Sequence, residues 1–290
     1  MAELSVMETV REKGLVFDGA MGTMLISAGL KGGMAAESWL LERPEEILRI
    51  HREYAEAGAD IITTATFGGN PIKLEKSGLG NEVEQINATA AALARETVGN
   101  NGFVAGNIGP TGELLFPSGP LSVEDAEKGF AVQAGCLADG GVDLFLVQTF
   151  FDLNEILAAV RGIQSVSRLP IFASMTFRKT PKGFATVMGN TVGNSMCCLK
   201  DAGAAVIGAN CSLGSNAMAA LSREIRSAVA IPVMAKPNAG VPRVEGGMTR
   251  YTETAPEFAA NMARISSFGV EVIGGCCGTT PEYIRLMKQV

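Results

Sequence analysis

Eight short apolar runs recur along the chain, each rich in β-branched or aromatic residues and bounded by Gly, Pro or polar positions. They are LVFDGA (15–20), DIITTATF (60–67), FVAGNIGP (103–110), VDLFLVQTF (142–150), IFASMTF (171–177), AAVIGANCS (204–212), IPVMAKPNAG (231–240) and VEVIGGCC (270–277). A strand buried on both faces reads this way. Helical patterns separate them. In PEEILRIHREYAEAGA, Ile47, Ile50, Tyr54 and Ala57 recur at three and four residues, and Gly58 stops the run. Ser122 and an acidic first turn open another helix, which ends at Gly140–Gly141.

Eight strands alternating with helices predict a parallel sheet, and eight is the number that closes a (β/α)₈ TIM barrel. No linker divides residues 1–290, so one barrel domain is expected over that span. A doubly wound open sheet is the runner-up, but DGAMGTML matches G-x-G-x-x-G poorly. In a barrel, functional groups gather where strands end. Asp18, Thr66, Asn107, Gln148, Thr176, Cys211, Asn238, Cys276 and Cys277 all fall at such ends.

Composition narrows the class. The chain is 47% hydrophobic and 19% charged, enough apolar material for a large core, and its net charge of −6 speaks against a nucleic-acid partner. The N-terminal MAELSVMETVREKG has no apolar signal core, and no run of about 18 apolar residues offers a membrane span. Six cysteines without an export signal point to reduced thiols in a cytoplasmic protein.

Cys211 ends the sixth run and Cys276–Cys277 the eighth, so a barrel brings three thiols to one rim. Three thiolates match three ligands of a tetrahedral zinc with the fourth position open. Gly274, Gly275 and Gly278 permit the bend that lets adjacent residues face one ion. The plainer reading treats cysteine as a small buried hydrophobe; it is adopted for Cys136, Cys197 and Cys198, within helical patterns, and stays open for the adjacent pair taken without Cys211. A zinc with three sulfurs suits holding another thiol as thiolate, ready to attack an electrophilic carbon. The single histidine, His51, lies in a helix pattern away from strand ends, so imidazole base catalysis is not expected.

Six collinear segments, FDGAMGTML, TTATFGGN, NIGPTGEL, GANCSLG, KPNAGVP and GGCCGTTPEYI, resemble the homocysteine-binding zinc domain of the homocysteine S-methyltransferase family over about residues 15–287. The CCGTTP and GPTGEL forms are most similar to the N-terminal module of cobalamin-dependent members. The resemblance implies Zn²⁺ on Cys211, Cys276 and Cys277, an acceptor thiol as fourth ligand, and an acceptor pocket lined by Asp18, Thr66, Phe67 and Gly68. It implies that Asn238 lies beside the metal and fills the open position when no thiol is bound. Two residues depart from the pattern. Gln148 stands where the family carries a glutamate that meets the amino group of homocysteine, and Ala65 stands where an asparagine is usual. An acceptor without an α-amine is one reading of Gln148; another residue supplying that contact is the other.

With the sequence ending at Val290, the folate and cobalamin modules are expected to lie on other chains. The methyl donor is then expected to be a separate methyl-corrinoid protein, as in anaerobic one-carbon metabolism, and transfer in the reverse direction uses the same site. Direct transfer from S-methylmethionine or betaine is the alternative, and aromatic faces near the zinc are its expected mark, with Trp39 on the rim side. A non-catalytic thiol or metal sensor is the alternative of another class.

Overall fold

Each apolar run becomes a strand in the computed structural model, which describes residues 5–245 and 248–289. In chain order the strands are β1 (Leu15–Val16), β2 (Ile61–Thr63), β3 (Phe103–Ile108), β4 (Leu144–Phe150), β5 (Ile171–Met175) and β6 (Arg178–Thr180). They continue with β7 (Gly183–Ala185), β8 (Val206–Gly214), β9 (Val233–Asn238), β10 (Pro242–Glu245), β11 (Met248–Tyr251) and β12 (Val272–Ile273). One parallel sheet runs β1-β12-β9-β8-β5-β4-β3-β2. The Phe17–Ile61 bridge and the Asp60 N–H bonded to the Val16 carbonyl join β1 back to β2 and close the ring. The architecture is a TIM barrel.

Side-chain alternation divides the apolar material into two cores. Leu15, Phe17, Ile61, Ala105, Leu144, Leu146, Phe172, Val206, Met234 and Val272 fill the barrel interior. Their neighbours Val16, Ile62, Val104, Phe145, Val147, Ala173, Ile207, Val233 and Ala235 face the surrounding helices. This is why the runs read as continuously apolar: both faces of each strand are covered.

The helices begin where the sequence signals placed them. Ser122 accepts the Asp125 N–H at 3.0 Å, and Thr254 with Glu257 forms a capping box before Ala255–Ser266. The helix Val6–Lys13 precedes the first apolar run and had no place in the predicted alternation. Ser5 and Glu8 cap it reciprocally, and Val6 and Val10 plug the N-terminal end of the barrel interior. Two antiparallel hairpins, β6–β7 and β10–β11, also escaped the strand pattern, because their short, partly polar segments lack a buried apolar run. His51 is fully buried in the helix Pro44–Glu56. Cys136 and Cys198 are half-buried in helices as expected, whereas Cys197 corrects the buried-hydrophobe reading: it is exposed, on the outward face of Val192–Asp201.

Candidate active site

Two residues beyond the apolar interior layer, the same inward-facing positions turn polar. Ile61 is followed by Thr63, Ala105 by Asn107, Leu146 by Gln148, Phe172 by Ser174 and Met234 by Lys236, all buried. These residues floor the C-terminal mouth. Above them opens a cavity of about 660 Å³ whose walls include Asp18, Phe67, Gly68, Asn107, Gln148, Lys236, Tyr251 and the three cysteines Cys211, Cys276 and Cys277.

Local backbone irregularity aims the cysteines. β8 loses register with β9 between Asn210 and Gly214, and Cys211 and Ser212 adopt φ of 60° and 61° there. β4 loses register with β5 between Val147 and Phe150, where Thr149 has φ of 70°. Non-glycine residues hold such angles only where their surroundings enforce them. Asn210 is that enforcement. Its Oδ1 accepts the Thr149 N–H at 2.9 Å and the Ser174 hydroxyl at 2.8 Å, while its Nδ2 donates to Thr149 Oγ1 at 2.7 Å.

The glycines around the adjacent pair act in two ways. Gly278 has φ of 83°, the bend anticipated from sequence. Gly274 and Gly275 are needed for room instead. A Cβ on Gly274 would lie 2.6 Å from Phe17 Cβ, and one on Gly275 would lie 2.3 Å from Thr279 Oγ1. Backbone bonds from Cys276 N–H to the Pro237 carbonyl (2.8 Å) and from Ala239 N–H to the Cys277 carbonyl (2.9 Å) lock this turn against the end of β9.

As a result the Sγ atoms of Cys211, Cys276 and Cys277 all lie within 4.8 Å of one another, with Cys211 and Cys277 3.9 Å apart. No disulfide joins them. Their charge is shared unequally. Hydrogen bonds from Cys276 and then Cys277 pull the Cys211 thiol down to about 3. The contact with Cys211 pushes Cys276 well up and Cys277 up to about 11. Burial and the neighbouring cysteine cluster together raise the Tyr251 hydroxyl above its ordinary value. Close by, burial raises the Asp18 carboxyl to about 6 against the pull of Lys236, while burial lowers the Lys236 ammonium. Asp18 accepts both the N–H and the hydroxyl of Thr63, each at 2.7 Å.

The profile of the family described as homocysteine S-methyltransferase matches residues 15–290. The chain belongs to the homocysteine S-methyltransferase family. It is thereby placed among methyltransferases. This family member is 32% identical over 301 residues to the methionine synthases of Mycobacterium leprae (strain TN) and Mycobacterium tuberculosis (strain ATCC 25618 / H37Rv). Each match covers 98% of this chain and 25% of the other, so the chain spans about a quarter of the length of the curated relatives it matches. Among solved structures, the metallated form of the homocysteine methyltransferase MmuM from Escherichia coli shares its fold, with a TM-score of 0.80 at 23% identity over 96% of both chains. The carboxyl transferase domain of Rhizobium etli pyruvate carboxylase is more distant, with a TM-score of 0.56 at 17% identity, covering 98% of this chain and 48% of that one.

Within this family member, Asp18, Phe67, Gly68 and Gln148 line the cavity, as does Ala65. Thr66 does not: fully buried, it donates to the Asn107 carbonyl and holds the loop from behind. Asn238 sits close to Cys211, with its Oδ1 buried and unpartnered. Thr176 is buried against the Phe150 carbonyl and takes no part in the wall. Trp39 is buried under Arg43, whose guanidinium stacks 4.4 Å from the ring centroid, so it gives the mouth no aromatic face. Sequence reasoning passed over Asn210, Lys236, Tyr251 and Glu37. The last is buried and accepts the Gly68 N–H at 2.5 Å. Asn210 and Lys236 carried the period-two signal of an inward position near a strand end; Tyr251 and Glu37 arrive on segments with no such signal.

Proposed function

We propose that this chain is a zinc-dependent thiol S-methyltransferase whose acceptor, homocysteine or a related thiol, takes its methyl group from a separate methyl-corrinoid protein. The observation that carries this reading is the convergence of three thiols on the wall of a deep, open cavity. Tetrahedral zinc with Zn–S bonds of about 2.3 Å spaces its sulfurs about 3.8 Å apart, and Cys211 and Cys277 stand 3.9 Å apart. Thiols held this close give up their protons to a divalent cation when they bind it. Cys211, Cys276 and Cys277 would hold the ion, with Asn238 at its edge.

When bound, zinc lowers the acceptor thiol's pKa and keeps it as thiolate at neutral pH. The chain's own residues then orient the acceptor. Asp18 is fixed by Thr63, the Gln148–Asn107 amide pair (2.9 Å) forms a neutral wall, and Tyr251 stands on the same wall as the cysteines. The acceptor sulfur gains the methyl carbon while the donor leaves with the electron pair of the broken bond. Reverse transfer, from a thioether to the corrinoid, uses the same groups.

A macromolecular donor agrees with the mouth's surface. Ile26, Met34, Leu114, Phe116, Val187 and Met188 are exposed large apolar side chains on the segments that follow strand ends, Ile26 in the helix Met21–Ser27 and the others in loops, with Phe116 at 73% and Ile26 at 65%. A small sulfonium or ammonium donor would want open aromatic faces. The aromatic residues of the cavity wall are Phe67 and Tyr251, and Phe67 already carries the Lys73 ammonium at 4.8 Å from its centroid.

The test is turnover. Zinc-loaded protein with methylcobalamin and a thiol panel should release cob(I)alamin, and chelation should stop it. A protein that binds zinc and yields no methylated thiol with any donor would instead be the metal or thiol sensor. In the same panel, Gln148→Glu should shift preference toward homocysteine over its amine-free analogue by about tenfold, the worth of a charge-assisted hydrogen bond. No shift would assign the amine contact elsewhere.

A further inference from the structure

Lys236 is the one buried lysine among the described residues, 2% exposed, and it lies on the cavity wall beside the thiols. Its place is built for it. β9 carries it inward one layer above Met234, and its stem runs through space that Gly274 leaves free, where a Cβ would lie 3.2 Å from Lys236 Cγ. The ammonium sits 4.4 Å from the Phe17 ring centroid. Among the described residues it makes no hydrogen bond and no ion pair within 4 Å.

A buried ammonium without contact partners is costly, and one aromatic face does not offset the lost hydration. The charges it feels are those of Asp18 and Cys276. Asp18 has both oxygens engaged by Thr63. Gln148, across the layer, is neutral and turned to Asn107. The layer therefore offers three ammonium donors to an incoming anion and sets no acidic group at 148 against it.

We infer that Lys236 receives the carboxylate of the acceptor, so that the substrates are thiol-carboxylates whose sulfur reaches the cysteine cluster while their acid end reaches this ammonium. The inference rests on the thiolate-binding reading of the cluster and adds the recognition of the substrate's other end. A single carboxylate fits because the ammonium keeps its three N–H donors free of protein partners, and the side-chain amide of Asn107 stands on the same wall to share the oxygens. Lys236 is in this view a specificity residue, remote from bond making.

Calorimetric titration of zinc-loaded protein with homocysteine, 4-mercaptobutyrate and 4-mercaptobutanol tests it. Both acids should bind about tenfold or more tightly than the alcohol, as expected for a charge-assisted contact. Lys236→Met should erase that preference while leaving the alcohol's affinity within about twofold, and Lys236→Arg should retain it. Equal affinity of acids and alcohol in the wild type overturns the inference. So does a Lys236→Met protein that loses the alcohol as strongly as the acids, since the ammonium would then act on the cysteines. Should Lys236→Met not fold, the wild-type ratio and the arginine variant decide. If none of the three thiols binds, the thiolate reading itself has failed, a result separate from loss of preference alone.

Discussion

His51 is buried with both ring nitrogens unpartnered, and burial lowers its pKa to about 4. The unfolded chain takes up that proton near 6.5, so between pH 6.5 and 4 the unfolded state binds more protons and stability falls as pH falls. The loss attributable to this one group reaches at most about 3 kcal/mol. Urea unfolding of wild type and His51→Leu at pH 7 and pH 5 should show a smaller acid loss in the variant. An identical loss would mean the imidazole is not the group responsible. Asp18 works in the opposite direction. Its carboxyl is raised to about 6, so its penalty holds above that pH and fades as pH falls. Because both proteins carry Asp18, the comparison isolates His51. The residue scale is also where sequence reading was most uneven. His51 in a helix and the three thiols at strand ends were legible, because type and position sufficed. Glu37 and Tyr251 were not, because loop paths bring them to the cavity.

At the scale of elements, the site depends on two irregular strand ends joined by one side chain. Asn210→Ala would leave the Thr149 N–H, the Thr149 hydroxyl and the Ser174 hydroxyl without their partner. The expected cost is about 2–4 kcal/mol in chemical denaturation, with weaker zinc binding because Cys211 follows Asn210 directly. Gly278→Ala meets two obstacles, a φ of 83° and a Cβ 2.2 Å from the Tyr251 ring. It should lower zinc affinity more than it lowers helix content, read by metal competition and circular dichroism. Unchanged affinity would show that the turn tolerates another path. Eight strands and most capped helices followed from period and cap chemistry. The hairpins β6–β7 and β10–β11 did not, since three- and four-residue segments carry too few positions to show alternation.

At the scale of the whole molecule, a metal that binds only the folded barrel adds stability by mass action, about 2.7 kcal/mol at a hundredfold excess over its dissociation constant. Thermal melting should therefore rise with zinc in wild type, and the rise should shrink in Cys276→Ala. The apolar mouth makes a separate prediction. Phe116→Ser should slow turnover with a protein-borne methyl donor and leave turnover with free methylcobalamin unchanged, since Phe116 is 73% exposed and absent from the cavity wall. Equal effects on both donors would remove the docking role.

The residue order by itself determined the barrel, because eight doubly buried runs alternating with amphipathic helices have few other ways to bury their apolar surface. It also set the cysteines at strand ends, and a closed parallel barrel sends all such ends to one mouth. Tertiary structure alone decided what those residues meet. The bulges at Thr149 and Cys211, the room left by Gly274 and Gly275, and the placing of Lys236 over Phe17 depend on contacts between segments far apart in the chain. Local pattern encodes which face a residue takes; it does not encode which distant group waits opposite.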